Sequence, residues 1–240
     1  MSRIEGRTDL GVVLTDNTIT DTLGHPQERP TRSIVQGRVY PRYVKRLTDL
    51  VLALLILPIV GPVILVLALM TRRDGGPSFF GHQRIGKDGQ TFRCWKVRTM
   101  VPNAQEKLKE YLAENPEAAA EWAADFKLRN DPRITKIGRF LRKTSLDELP
   151  QLWNVLKGEM SFVGPRPVID GEIELYGVSR SYYESVRPGI TGLWQVSGRN
   201  DTTYSERVAM DRAYVRKMSF FGDLGIILKT AKSVLGSTGI

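Results

Sequence analysis

Leu50–Thr71 reads LVLALLILPIVGPVILVLALMT, twenty-two residues without a charge. As a helix rising ~1.5 Å per residue it reaches ~33 Å, enough to cross a hydrocarbon layer once. A buried core helix is a weak alternative, because the run is apolar on every face. A single spanning helix conflicts with two features. Pro58, Gly61 and Pro62 cluster in its middle, and a helix-interior proline kinks the helix at a cost of ~3 kcal/mol. Arg42, Lys45 and Arg46 precede the run and Arg72 and Arg73 follow it, and basic flanks stay on the cytoplasmic side. A helix–break–helix hairpin that enters and leaves by one leaflet satisfies both. Each arm is then about ten residues, ~15 Å, with the backbone groups freed at the bend satisfied by protein or water.

Outward from this segment the chain divides into a tail, 1–38, a basic flank with the membrane hairpin, 39–73, and a remainder, 74–240. The whole of 240 residues carries a formal net charge of +9, long enough for one core with a small appendage. The first forty residues hold five arginines and five acids, so the basic excess lies beyond them. Nucleic acid, anionic lipid headgroups or phosphorylated small molecules fit that excess. One cysteine, Cys94, and two histidines, His25 and His82, leave no intrachain disulfide and in practice no Cys/His zinc site. That points to the cytoplasmic side, and the apolar run begins far behind the position of a signal peptide. The tail is polar and without sustained period, which predicts disorder.

Residues 77–99 alternate apolar and polar residues around Lys87-Asp88-Gly89, which predicts a β-hairpin. Residues 103–128 predict two short helices broken at Asn115-Pro116, with Leu108, Tyr111 and Leu112 on one side of the first and Trp122 and Phe126 on one side of the second. Residues 134–143 predict a basic amphipathic helix, and Leu149–Lys157 another that stops at Gly158. Arg187–Gly192 reads as turn-rich. Residues 203–235 read as mainly helical. Phe220, Phe221, Leu224, Ile226 and Ile227 suggest an apolar patch there, either interfacial or core.

The chemistry concentrates in Arg142-Lys-Thr-Ser-Leu-Asp-Glu-Leu-Pro-Gln-Leu152 and Gly164-Pro-Arg-Pro167. Asp147 and Glu148 could simply start a helix. Ser145 with Glu148 fits a capping box, whereas Asp147 as the cap puts Pro150 where its missing N–H costs nothing. The surrounding cations Lys136, Arg139, Arg142, Lys143 and Arg166 favour chemistry instead. One carboxylate can hold Mg²⁺ against phosphate and the other can attack phosphorus. A helix N-terminus and nearby cations would hold the nucleophile's pKa down. Arg166, between prolines, suits a bidentate phosphate clamp. Lys96 and Arg98 share a face at the end of the hairpin, and Arg84, Lys87, Arg187 and Arg199 lie in turn-like segments. Trp194, Gln195, Arg199 and Asn200 suit a nucleobase or sugar, or else a structural turn around a packed tryptophan. His82 and Cys94 read as structural.

In order, Lys45-Arg46, the Pro-broken segment, Arg84-Ile-Gly86, Trp95–Met100, Ser145–Leu152, Asn154–Gly158, Met160–Pro167, Arg187–Gln195 and Ser197–Asn200 form a series. It resembles the bacterial sugar transferase family, the monotopic phosphoglycosyl transferases, across about residues 42–238. The length and the 103–128 insertion look most like the undecaprenyl-phosphate galactose phosphotransferases of exopolysaccharide synthesis. Larger members carry transmembrane helices and a further domain ahead of this core, which the resemblance does not lead us to expect here. The resemblance implies transfer of hexose-1-phosphate from a UDP-hexose, galactose before glucose, to undecaprenyl phosphate with release of UMP. It implies Asp147 as nucleophile forming a covalent phospho-sugar enzyme and Glu148 as the Mg²⁺ partner. Asp147 is counted with Glu148 at the metal. Arg142 and Arg166 are implied beside the phosphates, and Lys96 and Arg98 in the basic strand motif. Where the family has a Ser-Pro break, this chain has Gly61-Pro62.

The expected class is therefore α+β, mostly helical. A re-entrant membrane helix–break–helix joins a cytoplasmic catalytic domain with a small β-hairpin and interfacial amphipathic helices, at the cytoplasmic face of the bacterial inner membrane. Inner-membrane lipid is an expected partner and a homodimer is left open. Two other classes fit parts of the sequence: a membrane-anchored non-catalytic scaffold, and a nucleic-acid binder. The intact Asp-Glu pair counts against the first. The uncharged run and the lack of a recognition motif count against the second.

Overall fold

The computed structural model describes residues 19–20, 26–27, 34–35, 37–125, 127–198 and 202–235. Most of the expected disordered tail, Phe126, and Arg199 with Asn200 lie outside them. The chain is mostly helical, with small two-stranded sheets and one long apolar helix. Ile19–Thr20 (β1) and Pro26–Gln27 (β2) make a short antiparallel pair.

The long helix, α1, runs Lys45–Thr71 behind one wider turn at Tyr40–Val44. The expected break is absent, since the helix continues through both Pro58 and Pro62. Each proline removes one backbone donor. Spaced four apart, the two lost bonds fall on one side of the helix, and both prolines are exposed. What holds α1 is its two ends. Arg46 donates to the carbonyls of Val155 and Leu156 at 2.6 and 2.9 Å. Asp49 accepts from Ser161 Oγ at 3.0 Å and from the Phe162 N–H at 3.1 Å. At the other end, Arg98 Nη2 donates to the Thr71 carbonyl at 2.9 Å. Ala53 is buried with Phe92, Cys94, Leu152, Val155 and Met160, and Leu67 with Val97 and Leu141. Between these anchors Leu54, Leu55, Ile59, Leu65 and Val66 are exposed.

The hairpin forms as its alternation predicts. Phe79–Ile85 (β3) and Thr91–Val97 (β4) pair antiparallel from Phe79 opposite Val97 to Ile85 opposite Thr91. The turn at Lys87–Gly89 places Asp88 and Gly89 at positive φ. Ala104–Glu114 (α2) and Pro116–Asp125 (α3) break at Asn115, as expected of a proline at a first helical position.

Lys136–Thr144 (α4) is capped by Thr135 Oγ1, which accepts from the Gly138 N–H at 2.9 Å. A Cβ on Gly138 would lie 2.0 Å from the Thr99 carbonyl oxygen, so glycine lets α4 press against the end of the hairpin.

Gln151–Lys157 (α5) ends at Gly158 with φ 83°. Ser161–Val163 (β5) and Gly189–Thr191 (β6) then pair in parallel, so the segment expected to be turn-rich, Arg187–Gly192, also holds a strand. The pairing joins segments 26 residues apart, which no local signal shows. It demands small residues: a Cβ on Gly189 would sit 2.1 Å from the Gly164 nitrogen.

The short helices Asp170–Ile173 (α6), Arg180–Glu184 (α7) and Leu193–Ser197 (α8) precede Tyr204–Lys217 (α9) and Phe220–Leu235 (α10). The α10 patch is divided. Ile226 is buried with Tyr214, Val215 and Met218, and Ile227 packs on that cluster. Phe221 is 81% exposed and Phe220 and Leu224 are also exposed.

Candidate active site

Asp147 and Glu148 stand on a short 3₁₀ turn, Leu146–Glu148, between α4 and α5. Neither expected cap forms. Ser145 takes φ 57° and makes no side-chain cap, and α5 starts behind Pro150 at Gln151. The tight turn suits Pro150, which has no N–H to give, and the chain re-enters helix through Leu152 N–H to Leu149 C=O at 3.1 Å. Asp147 is 7% exposed.

The β4 strand brings a lysine to both acids. Lys96 Nζ lies 2.7 Å from Glu148 Oε1 and 3.8 Å from Asp147 Oδ2. Asn154 fixes that approach. It is fully buried. Its Oδ1 accepts from the Trp95 N–H at 3.0 Å, and its Nδ2 donates to the Arg93 carbonyl at 2.7 Å. Sequence reasoning passed over this clamp between α5 and β4. An asparagine in a helix that must reach a neighbouring strand gives little local signal.

Burial pushes the Asp147 carboxyl above its ordinary pKa. Lys96 and Arg142 oppose the rise, and Glu148 adds to it. This corrects the expected depression. Desolvation on a turn packed under the hairpin outweighs the cations, and the pair does not sit at a regular helix N-terminus. Arg142 is positioned by a hydrogen bond from its Nε to Thr99 Oγ1 at 2.9 Å.

The hairpin register sets Arg84 opposite Phe92, His82 opposite Cys94 and Phe80 opposite Lys96. Arg84, His82, Cys94 and Lys96 therefore share the face toward Glu148. Arg84 pairs with Glu172 at 3.6 Å and lies in the field of Arg166. Burial and the charges of Arg84 and Lys96 hold the His82 imidazole below its ordinary pKa, and its buried Nδ1 has no hydrogen-bond partner among the described residues. His82, expected to be structural, stands two residues from Arg84 in β3 and so on the same face. Cys94 is buried and its thiol is pushed up to about 11, so it is unreactive.

The Gly-Pro-Arg-Pro turn is fixed to the hairpin's end. Ile85 N–H donates to the Val168 carbonyl at 2.9 Å, and Tyr183 Oη donates to the Ile85 carbonyl at 2.7 Å. Arg166 is exposed, 5.8 Å from the Trp194 ring centre. Trp194 itself is buried, with Arg207 over its ring at 4.6 Å. Its face is thus covered by arginines rather than free for a base. Gln195 donates to the Ile190 carbonyl at 3.3 Å.

Two expected substrate cations lie elsewhere. Arg98 follows the last residue of β4 and turns away from Lys96. It donates to Pro77 O at 2.6 Å, to Met100 O at 2.5 Å, to Thr71 O and to both oxygens of Asp74. Its fork is consumed in holding the end of α1. Arg187 donates from Nε to the Gly158 carbonyl at 2.6 Å, at the far end of α5.

The donor set fits Mg²⁺. That ion commonly takes one or two protein carboxylates and completes its shell with water and substrate phosphate, and Asp147 and Glu148 supply two carboxylates side by side. Among the described residues no third His, Cys, Asp or Glu joins them. When bound, the metal would neutralise phosphate charge.

The sequence model for the bacterial sugar transferases matches residues 40–237. This chain belongs to that family. It is 55% identical over 198 residues to the undecaprenyl-phosphate galactose phosphotransferase of Salmonella typhimurium, covering 82% of this chain and 42% of that protein. It is 54% identical over 198 residues to the UDP-galactose-lipid carrier transferase of Erwinia amylovora, with the same shares. Over 196 residues it is 51% identical to the exopolysaccharide production protein ExoY of Rhizobium meliloti, covering 81% of this chain and 87% of that protein. The chain thus spans under half the length of the first two relatives and most of the third. The match begins at the turn before α1 and includes every residue of the cluster.

Proposed function

We propose that this chain transfers hexose-1-phosphate from a UDP-hexose to undecaprenyl phosphate and releases UMP, with galactose as the favoured sugar and glucose next. The carrying observation is the buried Asp147 carboxylate beside Glu148 and Lys96 and in the field of Arg142. Asp147 attacks the β-phosphorus. A bond forms from its carboxylate oxygen, and the bond from that phosphorus to the bridging oxygen breaks. UMP leaves with the electron pair. An oxygen of undecaprenyl phosphate then attacks the same phosphorus, and the Asp147 carboxylate leaves. Lys96, Arg142 and Arg166 offset the charge of the two phosphates, and burial of Asp147 keeps water from the acyl phosphate. The names of the similar proteins, which specify galactose and undecaprenyl phosphate, support the substrate classes.

The apolar face of α1 is read as lying in the cytoplasmic leaflet of the inner membrane, with both ends on the cytoplasmic side. One body grips the helix at Arg46 and Asp49 and again at Thr71, which supports that reading over a single crossing. Cysteines in place of Tyr43 and Arg73 should both be labelled from the cytoplasmic side only, and labelling from opposite sides would restore the spanning helix.

The decisive assay is UMP release from UDP-galactose with Mg²⁺ and undecaprenyl phosphate, together with the mass of the acid-quenched protein. A hexose-phosphate adduct on the wild type and none on Asp147→Asn is expected. Wild-type turnover by Asp147→Asn would remove the nucleophile assignment.

A further inference from the structure

At the far end of α5 from Asp147, a basic cavity of about 800 Å³ opens at the start of α1, with Arg42, Arg46, Asp49, Lys87 and Arg187 among its lining. Its central feature is a pair of like charges. A Cβ built on Gly158 would lie 3.3 Å from Arg46 Nη2 and 3.8 Å from Arg187 Nε, so the two guanidiniums flank one glycine. Both are fixed by backbone. Arg46 caps Val155 and Leu156, and Arg187 caps Gly158. Among the described residues neither has a carboxylate within ion-pair distance, although other lysines and arginines in the chain do. Of the cavity's three acids, Asp49 and Glu184 are committed elsewhere and Asp88 is exposed on the hairpin turn. Asp49 takes the Ser161 hydroxyl and the Phe162 N–H, and Glu184 takes Arg180 at 2.8 Å. Two adjacent, preorganised arginines in no ion pair, with Asp49 the acid whose charge reaches Arg46, make a site for a phosphate oxyanion.

We propose that this cavity seats the phosphate of an anionic membrane phospholipid, bound between Arg46 and Arg187. The proposal rests on the membrane seat of α1 argued above. A lipid source is favoured by position, because the lining residues Arg42, Lys45, Arg46 and Asp49 directly precede the apolar run. Leu47 and Val51, 63% and 48% exposed, follow Arg46 one and five residues along α1 and offer an acyl chain an apolar surface. The site is not where phosphoryl transfer occurs. The seven residues of α5, ~10 Å at 1.5 Å each, separate it from the Asp147 turn. The bound headgroup would instead fix the start of α1, and through Arg46 the α5 end, at the membrane surface.

The test titrates phosphatidylglycerol, phosphatidylcholine or inorganic phosphate into the full chain in neutral detergent and counts bound molecules by native mass spectrometry. One phosphatidylglycerol should be retained where phosphatidylcholine is not. Arg187→Gln should weaken it roughly tenfold, the scale of one charged hydrogen bond. Arg187→Lys should restore part of that, and Asp147→Asn should leave it unchanged. Lys87 is exposed, so Lys87→Gln carries the test if Arg187→Gln does not fold, with a smaller loss of two- to threefold expected as an order of magnitude. Equal binding by wild type, Arg187→Gln and Lys87→Gln overturns the site. Inorganic phosphate held as tightly as the lipid, or undecaprenyl phosphate displacing the lipid one for one, overturns the phospholipid assignment. Failure of the membrane reading shows separately, as a chain that sediments with vesicles of no composition.

Discussion

Lys45 and Lys96 each face acidic side chains, yet the two clusters are finished to different degrees. Around Lys45 the oxygens are saturated. Its Nζ meets Asp223 Oδ2 at 2.5 Å, with side chains 9% and 7% exposed. Tyr40 donates to Asp223 Oδ2 at 2.7 Å and Tyr214 to its Oδ1 at 2.8 Å. Around Lys96 the set is open. The lysine side chain is 34% exposed, and one ammonium answers for two carboxylates at 2.7 and 3.8 Å. A saturated buried pair can only hold elements together, here the start of α1 against α10. An under-satisfied pair in the field of Arg142 retains valence for a metal and a phosphate. The same residue types thus serve structure or chemistry according to how many hydrogen bonds the fold already spends on them.

The largest effect should come from exchanging the readouts of the two clusters. Asp147→Asn is expected to lower UMP release by at least about a thousandfold while the thermal midpoint stays nearly unchanged. Asp223→Ala should do the reverse. It strands the Lys45 ammonium and takes the acceptor of the Tyr40 hydroxyl, while Tyr214 keeps the Val163 carbonyl, a loss of ~3–5 kcal/mol, or roughly 10 °C in a chain of this size. A stable Asp223→Ala variant would end the contrast. Next in size, Lys96→Gln should cut turnover by about a hundredfold and change stability by less than ~1 kcal/mol, as expected for a half-exposed pair. The matching Lys45→Gln should cost several kcal/mol. Paired turnover and melting measurements on the two lysine variants check both halves.

Much of the fold was legible where signals are local. The hairpin followed from alternation and a Lys-Asp-Gly turn, the α2–α3 break from Pro116, and the stop of α5 from Gly158. The carboxylate pair stood out because acids and fixed cations crowd one short stretch. What sequence hid was decided across distance. Pro58 and Pro62 predicted a break, but anchors from α5, β5 and Arg98 hold both ends of one continuous helix. Arg98 was grouped with Lys96 by alternation, and alternation ends with β4 at Val97. Past that point the guanidinium follows the carbonyls of Thr71, Pro77 and Met100. The direction of the Asp147 shift was missed for a related reason, since burial under the hairpin is a tertiary fact and the neighbouring charges are a sequence fact.

Asp211 is an intermediate case and gives the smallest, most specific prediction. It lies on α9, 2% exposed, away from both lysines. Tyr176 donates to its Oδ2 at 2.8 Å, and its Oδ1 has no partner among the described residues. Burial pushes this carboxyl up to about 7, against the pull of the Tyr176 hydrogen bond. With the folded pKa above the unfolded value of about 3.9, the group's contribution to stability is whole at low pH. It is lost as pH rises toward about 7 and is constant above that. Asp211→Asn keeps an acceptor for Tyr176 and removes the titration. The gap in thermal midpoint between wild type and Asp211→Asn should therefore shift in favour of the variant from about pH 5 to about pH 8. Parallel curves would mean that Asp211 does not titrate in the fold, and that its second oxygen is as satisfied as those of Asp223. A converging or diverging pair of curves would place Asp211 between the two lysine clusters. Such an acid is buried enough to resist charge, yet too sparsely bonded to be locked in one state.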